Sequence, residues 1–221
     1  MALPTPAVDL HNFRLSKLRE EQYRHMWWLL FWPVYLLRYL LLSIRNPVSV
    51  CTPVHCALDD RIPFLEGFVL FYVLWYVFII GMHVFLMLYD VPGFRRYTKF
   101  LIVSISISTL AYLLYPTCQE LRPTAFPRDN PMTWLVELIY TVDANSNVCP
   151  SEHVIGALAV AAAAMHTKSI PRLGKAVILL FAVQISASTV FIKQHSAVDV
   201  FAAIPVCAIA YVICYGTIRK R

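Results

Sequence analysis

The chain has 221 residues, 59% apolar and 14% charged, with a formal net charge of +6 and a mean hydropathy of +0.61. Soluble domains carry roughly 25% charged residues, so these values exclude an ordinary soluble enzyme and a disordered chain and point to an integral membrane protein. The positive charge calls for no nucleic-acid partner, because anionic lipid and the cytoplasmic bias of basic residues account for it.

In chain order, residues 1–25 form a basic arm whose RLSKLREEQYRH stretch reads as a solvated, partly helical face, and residues 26–221 read as one membrane catalytic domain without internal repeats. A bilayer core of about 30 Å needs about 20 helical residues. Met26–Ile44 is the first run of that length, and because it is long and follows a charged arm it reads as a retained span rather than a cleaved leader. Pro33 and Arg38 interrupt it, with Arg38 either snorkelling or pairing inside the bundle. Phe64–Leu88 and Phe100–Tyr115 follow. Met132–Val142 is too short to cross and reads as an interfacial or re-entrant helix. Val154–Met165 is so rich in alanine that its hydropathy is moderate, but small residues suit close helix packing. Lys175–Ile192 and Ser196–Ile218 complete the set. The expected fold is all-α: a polytopic bundle of six transmembrane helices with one short interfacial helix.

Thirteen of the 19 Lys and Arg residues lie in the amino arm (Arg14, Lys17, Arg19, Arg24), the second connection (Arg95, Arg96, Lys99), the fourth (Lys168, Arg172, Lys175) and the tail (Arg219, Lys220, Arg221). This bias places both termini in the cytoplasm. The polar residues at membrane depth then gather on the opposite, non-cytoplasmic side: Arg122 after the third span, His153 opening the fourth, and Lys193, His195 and Asp199 between and within the last two.

In STVFIKQHSAVDV, Asp199 is four residues after His195 and shares its helical face, so its carboxylate can hold one imidazole nitrogen and leave the other free and more basic. An imidazole held in this way suits attack on phosphorus or proton abstraction. In CPSEHV, Ser151 is a good helix cap and Glu152 stands in the favoured first turn. The free N–H groups there make an anion site with His153 at its mouth. With ELRP supplying Arg122, the set suits phosphate transfer without a metal.

These stretches resemble the type 2 phosphatidic acid phosphatase superfamily, integral-membrane branch, whose pattern is Lys-x6-Arg-Pro, then Pro-Ser-x-His, then Ser-Arg-x5-His-x3-Asp. YPTCQELRP, CPSEH and STVFIKQHSAVD stand in that order with that internal spacing. The resemblance covers roughly residues 60 to 218. It implies that His195 is the nucleophile, forming a phosphohistidine, that Asp199 orients it, and that His153 protonates the leaving oxygen and later activates water. Arg122, Ser151 and Ser188 would hold the phosphate, with no metal or cofactor required. Tyr115 stands where the pattern has its lysine and Thr189 where it has its second arginine, so the clamp is less positive than the family's. Lys193 offers a replacement charge, and Tyr115 and Lys193 join the candidate phosphate ligands. The implied substrate is a membrane lipid phosphate monoester or diphosphate, entering laterally, with the fourth and sixth spans lining its tail groove. The weaker clamp keeps open a head-group phosphotransferase of the sphingomyelin or inositol phosphorylceramide synthase type, and an inactive relative that only binds. Oligomeric state is not specified by the sequence.

Cys51, Cys56, Cys118 and Cys149 fall in non-cytoplasmic connections and offer two disulfides, Cys118 with Cys149 among the options. His55 in CTPVHC makes a weak zinc motif, and His83 and His166 read as structural.

Overall fold

The computed structural model describes residues 5–8 and 11–216. The basic tail and the expected end of the last span at Ile218 lie outside the described residues. The protein is all-helical. The seven α-helices among the described residues are α1 (Phe31–Arg45), α2 (Val69–Tyr89), α3 (Val91–Leu114), α4 (Pro131–Val142), α5 (Glu152–His166), α6 (Arg172–Phe191) and α7 (Ala197–Tyr215). Counting the short 3-10 turns leading into α1 and α2, five helical segments are long and apolar enough to cross a membrane: Arg24–Arg45, Glu66–Tyr89, Val91–Leu114, Arg172–Phe191 and Ala197–Tyr215. The protein is therefore read as a multi-pass membrane protein.

The alanine-rich run became the centre of the bundle. α5 buries Val154, Ile155, Gly156, Ala157, Ala159, Val160, Ala161, Ala163 and Ala164 and packs against α2, α3, α6 and α7. Its low side-chain volume lets four neighbours approach at once. A Cβ on Gly156 would stand 2.6 Å from Trp75 Nε1, so this position has room only for glycine beside the indole. The outer faces of α2, α6 and α7 expose Leu74, Val77, Leu180, Val183, Phe201 and Ile204, as expected of helices solvated by lipid chains.

Two sequence expectations are corrected by local chemistry. The second connection is only Asp90: its side chain caps α3 by accepting from Gly93 N at 2.9 Å, so Arg95, Arg96 and Lys99 ride on the first turns of α3 rather than in a loop. The amino arm is not simply solvated. Tyr23 and His25 are buried, His25 Nε2 meets Met87 O at 3.1 Å, and Ala7 N donates to Leu88 O, fastening the arm to the α2–α3 turn.

At the opposite end, the connections carrying the motifs converge. Thr52–Pro53 (β1) pairs in parallel with Thr117–Cys118 (β2). Cys149 N donates to Thr117 Oγ1 at 3.0 Å, Tyr112 OH donates to Pro150 O at 2.5 Å, and Ser151 N donates to Asp199 O at 3.0 Å. The last of these bonds ties the start of α5 to the first turn of α7. All six cysteines are unpaired, so none of the disulfide options is realised. Burial and the nearby Asp199 carboxylate push the Cys149 thiol up to about 12, which keeps it protonated and unreactive.

Asp59 organises the α7 end. It is buried and accepts from Ser196 Oγ at 2.6 Å, Ala197 N at 2.8 Å and Cys56 N at 2.9 Å. Burial disfavours its charge, but these hydrogen bonds outweigh the burial and hold its carboxyl below the ordinary value of 3.8. A depressed folded-state value stabilises the fold above the unfolded value, and that stability is lost as pH falls below about 4. Asp59→Asn should flatten this acid limb and lower stability by about 1–2 kcal/mol, read as unfolding temperature in detergent between pH 3 and 7.

Candidate active site

His195 is set in place by the turn joining α6 to α7. Lys193 adopts a left-handed conformation, φ 56°, which ends α6 and lets the amides of Gln194 and His195 both donate to Thr189 O at 3.0 Å. Ser196 then caps α7, its Oγ accepting from Val198 N at 3.2 Å. Asp199, fully buried, accepts from Ser196 N at 3.1 Å and faces His195 Nδ1 at 3.0 Å through the same oxygen, Oδ2. With Nδ1–H donating to the carboxylate, Nε2 carries the lone pair.

His153 opens α5 beside it. Its ring stacks on Tyr72 at 4.3 Å and meets Trp75 at a tilt of 46° with centroids 4.5 Å apart, and its centroid is 5.8 Å from that of His195. His153 Nε2 is buried without a hydrogen-bond partner. Both histidines line one cavity of about 530 Å³, whose walls run from Asp143, Asn147, Glu152 and Gln194 at the polar end to Leu29, Trp32, Leu36, Ile79, Ile80 and Val84. The apolar wall is thus supplied by α1 and α2, not by the fourth and sixth spans. α5 and α7 are committed to the bundle core, whereas α1 packs loosely and leaves a gap.

The remaining sequence candidates separate. Arg122 does not line this cavity and reaches it only through Gln194, the residue before His195: Nε donates to Gln194 Oε1 at 2.9 Å, Nη1 to Tyr140 O at 2.9 Å and Nη2 to Asp143 O at 3.0 Å, with Tyr140 under its guanidinium at 4.5 Å. Lys193 is turned away from the cavity. Its Nζ donates to Asp59 O and Ile62 O, and burial pulls its pKa down against the opposing charges of Asp59 and Asp60. Tyr115 is 61% exposed at the end of α3 and borders a different cleft with His55. Ser188 donates to Ile185 O at 2.6 Å and Thr189 to Ser186 O at 2.8 Å, both inside α6. Ser151 occupies the cap position of α5, but its hydroxyl makes no capping bond and is buried without a partner. Among the described residues no group of three or more His, Cys, Asp or Glu side chains is arranged to hold a metal.

Searches against protein-family models, curated proteins and solved structures return no match. Function therefore has to be argued from this geometry.

Two features of the site, Asp143 and Gln194, were missed in the sequence, while Arg38 takes the pairing inside the bundle that the sequence left open. Asp143 lines the cavity and is approached by Tyr72 OH, by Tyr39 OH at 3.1 Å and by Gln194 Nε2 at 3.3 Å. Gln194 joins it to Arg122. Arg38 crosses from α1 to Glu152, with bonds of 2.6 and 2.5 Å to Oε1, while Tyr35 OH donates to Oε2 at 3.0 Å. The only sequence signals were a polar run, TVDANSN, after a short apolar helix, and single charges in apolar context.

Proposed function

We propose that this protein is a membrane lipid phosphatase of the type 2 phosphatidic acid phosphatase kind, acting through a phosphohistidine. The observation that carries this reading is the pair of imidazoles on one cavity with an apolar wall: His195 steered by a buried Asp199, and His153 with a free nitrogen. In the first step His195 Nε2 attacks phosphorus, an N–P bond forms, the P–O bond to the lipid alcohol breaks, and His153 gives its proton to the departing oxygen. In the second, water attacks phosphorus, its proton returns to His153, and the N–P bond breaks. The amino end of α5 offers the anion-binding element, and Arg122 places a positive charge behind the cavity wall, joined to it through Gln194. Lipid would enter between α1 and α2 with its tails along their apolar wall. In this reading α5 is the sixth, short crossing, α4 lies at the interface, both termini are cytoplasmic and the site faces the other side.

A second reading, head-group transfer to a lipid hydroxyl, draws support from the cation deficit: Tyr115, Thr189 and Lys193 bring no charge to the histidines. Purified protein assayed with chelator present on phosphatidate, phosphatidylglycerol phosphate, an isoprenyl diphosphate and intact phospholipids separates the two. Release of inorganic phosphate supports hydrolysis. Appearance of a new head-grouped lipid, only when an acceptor lipid is added, supports transfer. Turnover of neither kind leaves the phosphatase reading without its activity and overturns it.

A further inference from the structure

We propose that the seam between α2 and α6 is a binding site for an anionic phospholipid, with one acyl chain in an apolar groove and the phosphate against basic residues at its mouth. The site lies on a different face of α2 from the histidine cavity and shares no lining residue with it. It therefore stands apart from the phosphoryl-transfer reading, and the lipid in it is retained rather than turned over.

Ring contacts close the seam toward the histidine end, Phe68 with Phe191 at 4.5 Å and Phe78 with Phe181 at 6.5 Å between centroids. Beyond them α2 and α6 leave a groove of about 480 Å³ with an entirely apolar lining that includes Gly81, Met82, Phe85, Val160, Ile170 and Ile178. Glycine weakens a helix interior relative to alanine, yet nothing on a neighbouring helix comes within 4 Å of where a Cβ on Gly81 would stand. Packing within the chain does not use that space. From Phe181 to Arg172, α6 rises about 14 Å, close to the roughly 15 Å depth of one bilayer leaflet, so the groove matches the reach of one acyl chain. Ile170, on its lining, stands between Lys168 and Arg172, which are both exposed. Lys175 follows, its Nζ donating to Met165 O at 3.0 Å. No acidic residue occurs between Glu152 and Asp199, and among the described residues none of these three basic side chains forms an ion pair. Other elements at this end do not supply the missing acid: Asp90 caps α3 beside Arg95 and Arg96, and Glu20 and Glu21 of the arm are outnumbered by Arg14, Lys17, Arg19 and Arg24. Positive charge at the mouth of an apolar slot is the complement of an anionic head group on an acyl chain. A second copy of the chain, sharing its orientation in the membrane, would bring like charges together, and a zwitterionic lipid would leave them unanswered.

The test is photolabelling of the full chain in neutral detergent with phosphatidylglycerol that carries a diazirine on one acyl chain, mapped by mass spectrometry. Label should fall on Val77, Gly81 and Phe85 of α2 and on Val177 and Phe181 of α6. Unlabelled phosphatidylglycerol should displace it at about a tenth of the concentration needed of phosphatidylcholine with the same chains. Lys168→Gln with Arg172→Gln should erase that preference. Gly81→Leu, which fills the groove, should remove the label from it. Label spread evenly over the lipid-facing helices or confined to Ile80 and Val84 of the histidine cavity, equal displacement by the two lipids, or label unchanged by Gly81→Leu would each overturn the proposal. So would a dimer that Gly81→Leu converts to monomer, because the groove would then belong to a second copy. Should Gly81→Leu fail to fold, the position of the label and the loss of preference in the charge variant decide. None of these readouts requires turnover, so the failure of this proposal and that of the phosphatase reading are seen separately.

Discussion

His195→Ala protein folds and turns over lipid phosphate at least about a thousandfold more slowly than wild type, because loss of a nucleophile removes the covalent route altogether. The substitution is at a cavity wall and deletes one hydrogen bond, so unfolding temperature should move little. Asp199→Asn should give a smaller fall in rate with the imidazole still present, since the amide can no longer be the acceptor of choice for Nδ1–H and the wrong tautomer competes. Steady-state kinetics on both variants check this order. If His195→Ala is folded and as active as wild type, or if Asp199→Asn is the more damaging of the two, the assignment of nucleophile and orienting acid is wrong.

The second large effect is on stability. The Arg38–Glu152 pair has side chains only 16% and 11% exposed, and Arg38 also lies over the rings of Tyr35 and Tyr112 at 5.2 and 5.9 Å. Removing one partner strands the other charge in a medium of low dielectric, which costs about 3–5 kcal/mol. Arg38→Ala should therefore lower the unfolding temperature strongly. The double variant Arg38→Met with Glu152→Leu should recover most of the loss, because shape is roughly kept and no charge is left unpaired. Glu152 precedes His153 in sequence, so Arg38→Ala should also lower lipid turnover, whereas the double variant tests whether the ion pair serves the site or only the fold. Additive losses in the double variant would show that the two side chains act independently.

What was legible in the sequence follows from which interactions are local. Helix positions came through because hydropathy over a 20-residue window is a local quantity, and even α4 (Pro131–Val142) and α5 (Glu152–His166) stand where short runs were expected. The His195–Asp199 contact was readable because four residues is one helical turn. Ser151 was misread as a capping side chain: the capping signature belongs to Ser196 and Asp199 instead, and the Ser151 hydroxyl is left over. Lys193 could not be placed from sequence, since its direction depends on a left-handed turn and on loop carbonyls more than 130 positions away. Asp143 and Gln194 were missed for the same reason. Their role exists only once α1, α2, α4 and the α6–α7 turn have converged.

The central claim is that His195 carries phosphorus during turnover. The most direct measurement is to mix wild-type protein with lipid labelled at phosphorus, quench within the first turnovers in alkali, and locate the label by mass spectrometry. The account predicts an acid-labile, alkali-stable phosphoryl or head-group phosphoryl adduct on His195, absent in His195→Ala. Turnover that proceeds with no label on the protein, or with label on any other residue, would contradict it.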